Sequence, residues 1–191
     1  MSIALFLKEF AADPRATGSV APSSSALAKE ILRGLPLDSS QTVLEYGCGT
    51  GAFTSEIMDA ISGSCQFLGI ESNLSFIRQL RSKFPNVSIH HGSVADVRSI
   101  CDQYDIGEVD CIVSGLPWAV FPHEAQVKYL KEMMRVLKPG GQFVTFGVLT
   151  GLLFPASYLF ARMLPDYFSE VSRSPIVWRN IPPAYIYRCR R

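Results

Sequence analysis

The hydrophobic positions of this chain follow two periods. Ile3, Phe6, Leu7 and Phe10 recur at i, i+3, i+4 and i+7, which predicts an amphipathic helix over residues 1–10. Pro14, Gly18 and Pro22 then mark a linker over 13–22. Ser23-Ser24-Ser25 offers an N-cap for a helix running to Arg33, and Gly34 ends it. From there apolar strand patterns at 42–46, 66–71, 87–91, 109–114 and 142–148 alternate with helical patterns at 53–61, 75–84, 123–136 and 155–164. Pro139-Gly140-Gly141 reads as the stop of the third of these helices. Such alternation predicts βαβ units: an α/β fold with a mostly parallel sheet and helices on both faces. Two late strands, 168–178 and 184–190, have no helix between them. The link Asn180-Ile181-Pro182-Pro183 is too short for a parallel crossover, so an antiparallel hairpin is expected at the C-terminus. The chain divides into an N-terminal helix and linker (1–22) and one domain (23–191).

Composition narrows the reading. The chain has 191 residues, 48% hydrophobic and 18% charged, which excludes a disordered protein. A net charge of +1 argues against a dedicated nucleic-acid binder. Mean hydropathy is +0.18, high for a chain with no clear membrane span. Six of the 18 basic residues, but only Asp166 and Glu170 among the acidic ones, lie after residue 138. That excess suits a face meeting anionic material such as lipid headgroups. Residues 139–161 carry no charge, but Gly140, Gly141, Gly147, Gly151 and Pro155 interrupt them. They read as a buried strand followed by an apolar loop and helix. The five cysteines show no C-x-x-C pair or metal-ligand spacing, as expected of reduced thiols in a cytoplasmic protein. The N-terminus lacks the pattern of a signal peptide.

The strongest candidate chemistry follows the first strand. Glu45-Tyr46-Gly47-Cys48-Gly49-Thr50-Gly51 lets the backbone turn tightly and approach a ligand closely. Glu71 ends the second strand, where a carboxylate can accept from both ribose hydroxyls of a nucleotide. Gly47-x-Gly49-x-x-Ala52 also fits a dinucleotide fingerprint, yet no Tyr-x-x-x-Lys pair is present to partner hydride transfer.

Val43-Leu44-Glu45-Tyr46-Gly47-Cys48-Gly49-Thr50-Gly51 resembles the first motif of class I S-adenosylmethionine-dependent methyltransferases, whose fold is Rossmann-like with a seven-stranded sheet. The resemblance extends through Glu71, Gly92-Ser93-Val94, the end of the fourth strand and Lys138-Pro139-Gly140-Gly141. It implies S-adenosylmethionine as cofactor, bound by Glu45, Gly47, Gly49, Gly51, Glu71, Ser72, Ser93, Val94 and Ser114. The glycine loop then faces the methionine part, Glu71 the ribose, and Ser93-Val94 the adenine. Many relatives carry Gly-Asp-Ala where this chain has Gly92-Ser93-Val94; Ser93 is a weaker acceptor, and Asp96 is a candidate to compensate.

The fourth strand ends in Ser114-Gly115-Leu116-Pro117-Trp118. Nucleic-acid amino methyltransferases carry Asn/Asp/Ser-x-Pro-aromatic here, but Gly115 stands at the acceptor position. Trp118 can stack on a base, hold an alkylammonium by cation–π attraction, or be a core residue. Gly18-Ser19-Val20-Ala21-Pro22-Ser23-Ser24, Phe84-Pro85, His91-Gly92 and Val113-Ser114-Gly115-Leu116-Pro117 resemble the bacterial phospholipid N-methyltransferases. That resemblance implies methylation of phosphatidylethanolamine toward phosphatidylcholine, with ornithine-lipid methylation or ribosomal RNA adenine N6-methylation as alternatives. The substrate residues are then Gly115, Leu116, Pro117, Trp118, Arg179 and Tyr185, and the catalytic candidates Ser114, Trp118 and His123. A membrane phospholipid and an anionic membrane surface are the expected partners of a monomer on the inner face of the membrane, with no nucleic acid and no metal. The stripe Ile3, Phe6, Leu7, Phe10, the apolar run Leu152, Leu153, Phe154, Tyr158, Leu159, Phe160 and the late arginines would face that membrane.

Overall fold

β1 (Thr42–Tyr46) is buried along its whole length, because it lies in the middle of a sheet covered on both faces. The structure, a computed structural model, describes residues 23–191. The helix expected over 1–10, its apolar stripe and the linker to Pro22 lie outside the described residues.

Within them, α1 (Ser25–Leu32), β1, α2 (Ala52–Ala60), β2 (Gln66–Glu71), α3 (Leu74–Lys83), β3 (Ile89–His91), α4 (Val97–Gln103), β4 (Val109–Ser114), α5 (His123–Met134), β5 (Leu137–Val148), α6 (Pro155–Tyr167), β6 (Glu170–Arg173) and β7 (Ala184–Arg190) follow in order. The seven strands are arranged β3-β2-β1-β4-β5-β7-β6. β1 to β5 pair in parallel; β7 is antiparallel to both β5 and β6. The expected α/β sheet and C-terminal antiparallel pair are therefore present. The order reverses between β1 and β4, the place where open parallel sheets bind ligands at the carboxyl ends of their strands. In register, Tyr46 stands beside Ile70 and Ser114, and Ser114 beside Thr145, so these strands end at one edge.

One face of the sheet packs Trp118, Tyr129, Phe143 and Phe160 under α4, α5 and α6. The other packs Leu27, Ile31, Phe53, Ile57 and Leu80 from α1, α2 and α3. Arg188 of β7 ties α1 down. Its guanidinium donates to the carbonyls of Glu30 (2.6 Å), Ile31 (3.2 Å) and Arg33 (2.6 Å) at the helix end, where Glu30 O also accepts from Arg33 N (3.2 Å).

Three expectations change. α4 lies in the connection between β3 and β4, where the sequence pattern predicted no helix; Val97, Ile100 and Cys101 are its buried stripe. β5 begins at Leu137, so Lys138-Pro139-Gly140-Gly141 is the start of a strand rather than the stop of α5, which ends at Met134. The backbone pairs Gly140 N–Arg191 O and Arg191 N–Gly141 O, both 2.9 Å, hold that start in place. β6 ends at Arg173 instead of 178, because Pro175 has no N–H and the ladder to β7 is interrupted after Ser174, resuming only as an isolated bridge between Val177 and Ala184. The uncharged stretch 139–161 divides, as expected, into a strand (β5), a 3-10 turn (Leu149–Leu153) and the start of a helix (α6). Among the described residues no helix is long and apolar enough to cross a membrane.

Candidate functional site

Three turns meet at the carboxyl edge of the sheet: the loop after β1, the end of β2 and the loop after β4. The first depends on glycine. Gly47, Gly49 and Gly51 have φ of +72°, +52° and +80°, a region costly for residues with a Cβ. The second is tied to it. Glu71 accepts from Gly49 N (2.9 Å, Oε2) and Asn73 N (2.8 Å, Oε1), so its carboxylate braces the glycine loop. Each oxygen still has a lone pair for another donor. The third packs against the first backbone to backbone. Gly115 N donates to Tyr46 O (2.7 Å), and a Cβ at Gly115 would lie 2.5 Å from Gly47 O. Leu116 closes on Gly47 from the same side.

Glu45 lies beneath the loop, fully buried. Its Oε2 accepts from Thr54 Oγ1 (2.7 Å), while Oε1 is buried with no partner. Burial pushes its carboxyl up to about 7, against the pull of the Thr54 hydroxyl. Cys48, also buried, has its thiol pushed well up by burial and by the nearby Glu45 and Glu71 carboxylates, so it is an inert packing residue.

The residues expected on the adenine side, Ser72, Ser93 and Val94, lie beside the end of β3. Ser72 is exposed, and its carbonyl lies 3.2 Å from His91 Nε2. Ser93 Oγ accepts from Ala95 N (3.1 Å), capping the turn Val94–Asp96, and Val94 is buried in the core.

On the acceptor side the structure overturns two expectations. Trp118 is only 2% exposed. Its ring stacks on Phe160 (4.5 Å, 20°) and meets Phe121, Tyr129 and Phe143 edge-on. Its Nε1 donates to Ser114 Oγ (3.1 Å), which also accepts from Leu116 N (3.3 Å). Trp118 is thus a core residue, with no ring face free for a substrate, and the buried Ser114 Oγ holds it there. Tyr185 is likewise buried, under the Arg173 guanidinium at 4.0 Å. Gly115, Leu116 and Pro117 are half-buried at the mouth. His123 is exposed at the first residue of α5, and Arg179 is exposed beside Trp178.

Most of the late arginines are also committed elsewhere: Arg188 to α1, Arg190 to Glu170 (3.5 Å), Arg173 to Tyr185, and Arg191 to Leu137 O. Phe160 faces inward with Trp118 and is no part of an apolar surface.

Two residues not singled out in the sequence matter here. Thr54, nine residues after Glu45 in the first turns of α2, supplies Glu45's partner. Gln126 on α5, also buried, donates from Nε2 to Trp118 O (2.7 Å) and Ala156 O (3.0 Å), joining the turn after β4 to α6. A polar residue on the apolar stripe of α5 was the available signal.

Strand order, glycine loop and acidic ends of β1 and β2 define a Rossmann-like class I methyltransferase. A family described as "Methyltransferase domain" matches residues 43–141. Ornithine lipid N-methyltransferase of Singulisphaera acidiphila is 35% identical over 191 residues, with 97% of this chain and 94% of that protein covered. Demethylmenaquinone methyltransferase of Shouchella clausii is 26% identical, with 72% of this chain and 59% of that protein covered. Among solved structures, an O-methyltransferase from Bacillus cereus in complex with SAH superposes with a TM-score of 0.71 at 12% identity, covering 100% of this chain and 92% of that one. An S-adenosylmethionine-dependent O-methyltransferase from Thermotoga maritima gives 0.68 at 16% identity, covering 95% and 71%. These structural likenesses show the fold alone. The chain belongs to the class I S-adenosylmethionine-dependent methyltransferase family.

S-adenosylmethionine is its cofactor, and the residues present fit it. Glu45 Oε1 is a buried oxygen with no partner among the described residues, and the two Glu71 oxygens keep free lone pairs at the end of β2, where a ribose is expected. A Cβ at Gly49 would meet open space, so only its φ of +52° demands glycine.

Proposed function

We propose that this methyltransferase acts on the amine of a membrane-lipid headgroup. The observation that carries the reading is the similarity along almost the whole chain to an ornithine lipid N-methyltransferase. The site supports it. Gly115 brings no side chain that would accept from the amino group of a nucleic-acid base, and the burial of Trp118 removes the stacking platform that ribosomal RNA methylation would use. An ornithine headgroup is the first acceptor; phosphatidylethanolamine, implied by the phospholipid N-methyltransferase motifs, is the second.

When bound, S-adenosylmethionine supplies a methyl group already activated on a sulfonium, so holding the acceptor in line supplies most of the remaining rate enhancement. Glu71 holds the ribose side, and the glycine loop with Glu45 the methionine side. Gly115, Leu116 and Pro117 shape the mouth through which the amine enters. The headgroup amine must shed its proton before its nitrogen has a lone pair to bond the methyl carbon, and the bond from that carbon to the sulfonium sulfur breaks as the new one forms. His123, exposed at the start of α5 just past the turn Trp118–Val120, is the candidate to take the proton.

The test is incubation with radiolabelled methyl donor and, in separate arms, detergent-dispersed ornithine lipid, detergent-dispersed phosphatidylethanolamine, or ribosomal RNA. Label in a lipid supports the proposal, and the arm identifies the headgroup. Label in RNA, or in none of the three, refutes it.

A further inference from the structure

Two segments at the carboxyl edge of the sheet expose large apolar side chains. The first follows β5 and presents Leu152, Leu153, Phe154 and Tyr158, with Leu153 84% exposed. The second is the loop 174–183 between β6 and β7, where Trp178 is 69% and Ile181 78% exposed. They are neighbours: Leu149 N donates to Pro183 O (2.8 Å), and Val148 stands opposite Ala184 in the β5–β7 register. The first adjoins the turn that follows β4, because a Cβ at Gly151 would lie 3.3 Å from Ala119 Cβ, and the second lies beside the first.

The loop is built, not merely long. Val177 N donates to Ala184 O (2.7 Å), and Asn180 Nδ2 donates to Pro182 O (2.7 Å). Asn180 Oδ1 accepts from Ser24 N (3.0 Å), which anchors the loop to the start of α1. Asn180 itself is buried, so the backbone is held from inside while Trp178 and Ile181 point outward.

The charge pattern identifies what this surface meets. Across 139–165 and 174–187 the charged residues are Arg162 and Arg179, with no Asp or Glu. Neither arginine has an ion-pair partner among the described residues; Arg162 lies over the Tyr158 ring at 5.6 Å. Exposed apolar side chains with an aromatic at their edge and unpaired cations beside them match a bilayer interface bearing anionic headgroups. A soluble monomer seldom leaves such a patch uncovered.

We propose that the 174–183 loop and the 152–158 segment form a docking face. Trp178 and Ile181 insert into the interface of an anionic bilayer, and Arg179 and Arg162 meet its phosphates. The inference rests on the lipid-amine reading above, and the membrane it commits to is the source of that substrate. Docking at this edge sets the mouth formed by Gly115, Leu116 and Pro117 against the headgroup layer, so an amine is reached without extracting the lipid.

The test uses the full chain and vesicles of phosphatidylcholine and phosphatidylglycerol, which carry no primary amine. Wild type should co-sediment with them, and fluorescence should shift to the blue through Trp178, since Trp118 is already buried. Trp178→Glu with Ile181→Glu should weaken sedimentation by at least about tenfold, with melting temperature and S-adenosylmethionine affinity unchanged. Leu153→Glu, on the other segment, should act in the same direction. Equal vesicle binding by the double variant overturns the inference, as does absence of wild-type binding. A concentration-dependent dimer that loses its contact in the same variant overturns it in favour of a second copy. Methylation of dispersed lipid without vesicle binding would sink the docking face and leave the lipid-amine reading standing. Vesicle binding without lipid methylation would do the reverse.

Discussion

Trp118→Ala separates a core tryptophan from a substrate-holding one. The variant removes an indole 2% exposed, stacked on Phe160 at 4.5 Å and in edge contact with Phe121, Tyr129 and Phe143. It also removes a hydrogen bond to Ser114 Oγ. Truncations of this kind cost about 3–5 kcal/mol, because the surrounding rings collapse only partly into the space. With a urea slope of about 2 kcal/mol/M for a chain of this size, the unfolding midpoint should fall by roughly 1.5–2.5 M. Trp118→Phe keeps a ring in the stack and loses the N–H. Ser114 Oγ still accepts from Leu116 N, so the cost should be nearer about 1 kcal/mol. Unfolding followed by far-ultraviolet circular dichroism measures both. A Trp118→Ala protein that unfolds at the wild-type midpoint yet loses turnover on lipid would place the ring at the substrate and refute the packing argument.

Glu45 predicts a pH dependence of the cofactor-free protein. Its carboxyl is raised from 4.5 to about 7, so its contribution is fully present below pH 4.5 and is lost as pH rises from there to 7. At about 1.36 kcal/mol per unit the loss is on the order of 3 kcal/mol, and Glu45→Gln should flatten it. Urea unfolding at pH 5 and pH 8 checks this; an unchanged slope in the variant rules out Glu45 as its source. Glu71→Gln leaves a single acceptor oxygen for Gly49 N, Asn73 N and the ribose. Loss of a charged acceptor should weaken S-adenosylmethionine binding about 10- to 100-fold by calorimetry, and wild-type affinity would remove Glu71 from the ribose. Gly115→Ala puts a methyl 2.5 Å from Gly47 O, a backbone atom that cannot swing away. It should abolish cofactor binding and lower the melting temperature. Gly49→Ala faces open space and should cost only about 1–2 kcal/mol through its positive φ. Equal behaviour of the two variants would contradict the close approach of β1 and β4.

The sequence alone determined the alternation of strands and helices around the sheet, the bounds of β1, β2, β4 and β7, and the glycine turn after β1 with an acid at the end of β2. These depend on local signals: period-2 and period-3.6 apolar patterns, glycines that must adopt positive φ, and an acid at the end of a strand. α4 escaped notice because its stripe, Val97, Ile100 and Cys101, is only one repeat long. The acceptor side was legible only as residue types. Whether an aromatic after β4 faces a ligand or the core depends on what α5 and α6 bring to it. In this protein Tyr129, Phe143 and Phe160 arrive from elsewhere in the chain and surround Trp118. The late arginines show the same limit. Their number was plain, but only the fold turned Arg188 onto the end of α1, more than 150 residues away, and left Arg179 in solvent beside Trp178. Side-chain roles set by partners distant in sequence are decided by tertiary packing, because no local pattern encodes which faces the crossovers bring together.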